Sequence, residues 1–164
     1  MNGARPLDVY LNDHLAGSTG GVELAQRAAA DYSDRELGEF FSNLVTEIQE
    51  DKSALEDVMK QVGTQPNPLK QAGAWVMEKV SRLKLTTLKG GELDALLTIE
   101  TLQLGIQGKQ ALWLSLREVR DSIPELGSTD LDRLISRAED QINRLETERL
   151  NAARTALVKS SGVS

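Results

Sequence analysis

The chain has no cysteine, so disulfides, thiolate metal sites and cysteine nucleophiles are all excluded at once. It has one histidine, His14, which rules out any site needing two imidazoles from one chain. Aromatic residues make up only 4%, too few for stacking platforms. Basic residues do not exceed acidic ones: the net charge is -6, the wrong sign for a nucleic-acid or anionic-membrane surface. No apolar run approaches the roughly 20 residues that span a bilayer. The first residues, MNGARPLDVYLND, carry no signal-peptide core, and a cytoplasmic location is expected.

What remains is a helix-forming composition, dominated by Ala, Leu, Glu, Gln, Lys and Arg. With 164 residues, 40% apolar and 27% charged, a single domain over 1–164 with a real core is expected, and 159–164 as a flexible tail. Five helical segments follow from apolar spacing and breaks. The first runs from Leu7 to Asp31, with Pro6 near its start and Gly17-Ser-Thr-Gly-Gly21 inside it as a thin waist. Ser33 to Glu36 reads as a capping box opening a second helix to Gln61, with Gly63 as a stop. Asn67 and Pro68 open a shorter third segment carrying Leu69, Ala72, Val76, Val80 and Leu83. After Gly90-Gly91 a long segment runs from Glu92 to Asp121, and the last starts at Ser128–Asp130 and reaches Val158. The fold class is all-α, an antiparallel four-helix bundle with an additional short helix in the connection.

One position breaks the second helix's apolar seam. Leu37, Phe41, Leu44, Ile48, Leu55, Val58 and Val62 are joined at helical spacing by Asp51. A buried carboxylate needs a partner, a proton or a metal. Glu47 lies one turn before it on the same face. Glu100 falls on a stripe with Leu93, Leu97, Leu104 and Gln107, and Glu139 between Ile135 and Ile142. His14 precedes Ser18 by one turn. Inward carboxylates from several helices are how bundles build dinuclear metal sites, so Glu47, Asp51, Glu100 and Glu139 are candidate metal ligands, with His14 as an outer member. The opposing reading pairs Asp51 and Glu100 with Lys or Arg across the bundle, leaves Glu47 and Glu139 as surface charges, and makes His14 a satisfied boundary residue.

The stretch Glu36 to Gly63 (ELGEFFSNLVTEIQEDKSALEDVMKQVG) resembles the second helix of the ferritin-like superfamily, in its branch of small bacterial stress-associated proteins. Glu47 matches a ligand Glu of that pattern, and Asp51 stands where the pattern has His. The stretch LLTIETLQLGIQGKQALW resembles the third core helix, with Glu100 at the ligand position and Gln103 where a second acid or His belongs. Glu139-Asp140 resembles the acid pair of the final helix. On the first helix Ser18 stands near the expected Glu, with Glu23 further along. The resemblance implies a ferritin-like bundle whose metal motif is degenerate. No cofactor is expected, with iron or manganese in an all-oxygen site as the alternative.

Two functions stay open on this reading. One is a ferritin-like bundle of binding or assembly role without catalysis. The other is a carboxylate-rich metal bundle with iron- or manganese-dependent oxidase or stress-detoxifying activity. The expected partner is a homodimer through an exposed apolar face, with Trp75, Val76, Trp113, Leu114 and Leu116 as contributors, and no nucleic acid or membrane. An apolar ligand at the glycine waist would need a pocket of a few hundred Å3.

Overall fold

In the computed structural model, which describes residues 5–68 and 91–158, four long helices account for most of the chain. They are α1 (Pro6–Asp31), α2 (Glu36–Gln61), α3 (Glu92–Glu118) and α4 (Leu131–Ala156). Two short 3-10 turns, Arg120–Ser122 and Pro124–Ser128, join α3 to α4. No strand occurs among the described residues. No described helix is long and apolar enough to cross a membrane. The short helix expected from Asn67 through Leu83 lies outside the described residues, apart from its first two.

Local chemistry fixes the element ends. Pro6 occupies the first turn of α1, where its missing N–H is no loss. α1 continues unbroken through its glycines. The Ser18 and Thr19 hydroxyls fold back onto the Leu15 carbonyl at 2.8 and 3.1 Å, so neither is left open to compete for the backbone. Gly63, at φ 74°, ends α2 in a left-handed turn, with the Thr64 N–H reaching back to the Met59 carbonyl at 2.8 Å. Asp130 caps α4 by accepting from the Arg133 N–H at 3.0 Å.

The capping box expected at Ser33–Glu36 does not form. Arg35 is the N-cap of α2 and no side chain caps it. The reason is the tightness of the α1–α2 reversal. A β-carbon at Gly38 would stand 2.2 Å from the Tyr32 carbonyl oxygen, so the turn closes directly onto the helix and Glu36 becomes its first residue.

Side-chain ties fix how the helices run. α1 is antiparallel to α2, since Asn12 donates to the Gln65 carbonyl at 3.1 Å while the tight turn joins their other ends. Tyr10 to Ser115 and Tyr32 to Asp94 make α1 antiparallel to α3. Arg117 to Asp132 and Gln103 to Glu146 make α3 antiparallel to α4. Glu47 to Arg144 and Gln61 to Thr129 make α2 antiparallel to α4. The result is two antiparallel hairpins, α1–α2 and α3–α4. The connection 62–91 joins the end of α2 to the start of α3 at the opposite end of the bundle. Backbones approach most closely within the hairpins, and α2 and α4 are the most widely set of the four adjacent pairs.

The core is divided in two. One apolar cluster, with Leu24, Tyr32, Phe41, Ile48, Ile99, Ile106 and Leu145, fills the end near the α1–α2 turn. The other, with Leu11, Leu15, Leu55, Trp113, Leu126 and Ile135, fills the opposite end. Trp113 and Leu116 belong to this second core, with 0% and 1% exposed, which removes them from the apolar dimer face expected above; Leu114 is the exposed one of the three. Trp75 and Val76 lie outside the described residues.

Candidate functional site: a buried ion-pair layer

Between the two cores, each of α2, α3 and α4 places a polar residue on its inward stripe. On α2, Asp51 stands between Ile48 and Leu55 and is 2% exposed. On α3, Lys109 stands between Ile106 and Leu112. On α4, Gln141 stands between Ala138 and Leu145 and is 0% exposed. The Gly17–Gly21 waist of α1 falls roughly level with Leu104–Gly108 of α3, as interpolated from the Tyr10 and Tyr32 ties. α1 therefore contributes small residues close to this layer.

The Asp51 carboxylate accepts from three side chains. Lys109 Nζ donates to one oxygen and Arg137 Nη2 to the other, both at short range. Gln141 Nε2 donates at 3.2 Å. Gln141 in turn takes Lys109 Nζ on its carbonyl oxygen at 2.5 Å, and its amide also donates to Glu47 at 3.1 Å. The layer continues outward: Arg137 Nη1 meets Glu50 at 2.8 Å, and Arg144 joins Glu47 at 2.5 Å and Asp140 at 2.7 Å. Arg137 Nε is buried and has no hydrogen-bond partner among the described residues.

Burial sets the electrostatics here. Desolvation pushes the Lys109 ammonium below its ordinary pKa, against the pull of Asp51. Burial also opposes the charge on Arg144, but hydrogen bonds to Glu47 and Asp140 prevail and raise its pKa. A charge that leaves water is held only by partners of opposite sign and full hydrogen bonding, and Asp51 has both.

The other sequence candidates sit apart from Asp51. Glu100, whose side chain is 43% exposed, pairs with Arg149 at 3.7 Å. Arg149 also grips Glu146 at 2.7 Å, and Gln103 donates to Glu146 at 3.0 Å. Held by Arg149 and Gln103, the Glu146 carboxyl drops to about 2. Glu139 is exposed and accepts from Gln110 at 3.3 Å. His14 is half-buried with its ring edge-on to Tyr10, centroids 4.6 Å apart, and desolvation lowers its pKa against Asp13. Thus Glu47 and Asp51 share one layer, while Glu100, Glu139 and His14 each meet different groups. Among the described residues, no three His, Asp or Glu side chains gather where they could hold a metal ion.

No family model, curated protein or solved structure matches the chain. The site is therefore read from its own geometry.

Sequence reasoning found Asp51 but missed Lys109, Arg137 and Gln141. The signal for two of them was present. Leu102, Ile106, Lys109, Trp113 and Leu116 step along α3 as the seam of α2 does, and Leu134, Ala138, Gln141 and Leu145 step along α4. The stripe chosen on α3, through Leu93, Leu97, Glu100, Leu104 and Gln107, packs on the first core at Leu93 and turns outward along the helix, where Leu104 is 53% exposed. A surface depression of about 410 Å3, lined by Ala29, Ser33, Arg35, Gly38 and Ser42 among others, lies at the α1–α2 turn and not at the glycine waist.

Proposed function

We propose that the chain is a ferritin-like helical-bundle protein that works by binding or assembly rather than catalysis, with its polar layer serving the fold. Two antiparallel hairpins joined by one long crossover, with α2 and α3 running the same way, support the family reading, because ferritin-like bundles carry one such crossover.

The observation that carries the functional reading is the pair of cations on Asp51. A metal ion entering here would face an ammonium and a guanidinium, and would have to displace both to reach the carboxylate oxygens. Glu47 and Glu100 are likewise met by Arg144 and Arg149. The one histidine, His14, sits against Tyr10. This donor set argues against the iron or manganese site of the alternative reading.

Elemental analysis of tag-free protein from cells supplied with iron and manganese tests this reading. Metal well below one equivalent per chain is expected, with a melting temperature that chelators leave unmoved. A stoichiometric metal whose removal lowers the melting temperature would overturn it.

A further inference from the structure

The outer side of α3 is set apart by its lack of charge. From Thr101 to Leu116 the only charged residue is Lys109, and it is turned inward onto Asp51 and Gln141. The outer face of that stretch is therefore neutral over about 24 Å of helix, in a chain that is 27% charged. It is also apolar in part. Leu104 and Leu114 are 53% and 39% exposed. Leu104, Gln107, Ala111 and Leu114 recur at the three- and four-residue steps by which one helix packs along another.

Two glycines on this helix have no explanation within the chain. Glycine weakens a helix interior. Yet among the described residues nothing lies within 4 Å of a β-carbon added at Gly105 or Gly108. No neighbour of either requires the missing side chain, and the space is open.

We propose that this face docks a second copy of the chain, α3 against α3 about a two-fold axis. The occupant is a copy because an uncharged face is its own electrostatic complement. With a net charge of -6 two copies repel each other, and here they meet without bringing like charges together. The residues match in size as well. An antiparallel pair whose axis passes between Gln107 and Gly108 sets Leu104 of each copy over Ala111 of the other, with Gly108 where the backbones cross. The inference rests on the assembly reading above for its choice of role. Its test does not involve metal content, so the two can fail separately.

Sedimentation velocity of the full chain over a range of concentrations tests it. The parent should pass from the mass of one chain to that of two as concentration rises. Leu104→Glu changes an exposed residue and sets an acid from each copy beside the axis. It should keep the parent's helical circular dichroism and stay monomeric at every concentration. The chain has no cysteine, so one introduced thiol can pair only with another copy. Gly108→Cys should form a disulfide dimer in air, and Lys60→Cys, on the exposed side of α2, should not. A parent that is monomeric throughout, a Leu104→Glu chain that still dimerises, or equal disulfide yields from the two cysteine variants would overturn the proposal.

Discussion

Asp51 receives Lys109 from α3 and Arg137 and Gln141 from α4, so one buried side chain ties its helix to both helices of the other hairpin. Gly38 acts at the same scale by what it omits. The tight α1–α2 reversal brings the Tyr32 carbonyl where a β-carbon would be, and backbone cannot swing aside as a flexible side chain can. Gly38→Ala should therefore lower stability by about 1–3 kcal/mol, the usual penalty for overpacking, read as a lower urea midpoint with unchanged slope. A variant as stable as the parent would show that the turn can relax. The two residues differ in legibility. Asp51 announced itself because a charge among seven apolar seam positions breaks a period. Gly38 gave no such signal, since its role depends on a carbonyl six residues earlier that only the turn brings near. Arg137 was hidden too: it lies off the apolar stripe and reaches Asp51 by the length of its side chain.

The helices themselves were the readable part of the fold. α2 and α4 carry a single apolar face each, so their spans follow closely from spacing and from Asp130 and Gly63 at their ends. α3 was legible as a helix but not in its orientation. It is apolar on several sides, with Leu104 outward, Leu97 half-buried and Leu96, Ile99 and Leu102 inward, so its period did not say which stripe faces the core. That ambiguity put Glu100 inside and left Lys109 unnoticed. On α1 the glycine waist suggested close approach by a neighbour. At Gly21 nothing lies within 4 Å of an added β-carbon. Gly21→Ala should then stabilise the protein by about 0.5–1 kcal/mol through the unfolded chain's lost freedom, visible as a higher melting temperature. A destabilised variant would mean that the waist is filled by something that Gly21 must clear.

Across the whole molecule, two apolar cores are separated by one polar layer, and the ties of Asp51 run between hairpins, none within them. Such a layer contributes less to net stability than to how the halves match, because the desolvation of its charges offsets their attraction. Its topology was only partly open to the sequence: short loops implied hairpins, but pairing α2 with α4 needed the cationic partners, which periodicity alone did not assign. The central claim is that Lys109 and Arg137, not a metal, satisfy the buried carboxylate. Equilibrium unfolding of two variants measures this most directly. Asp51→Leu alone should lose about 3–5 kcal/mol, because Lys109 loses its ion-pair partner and Arg137 keeps only Glu50, while the combined replacement Asp51→Leu, Lys109→Met, Arg137→Leu and Gln141→Leu should recover the parent's stability or exceed it by about 1–4 kcal/mol. An Asp51→Leu protein as stable as the parent would contradict the account.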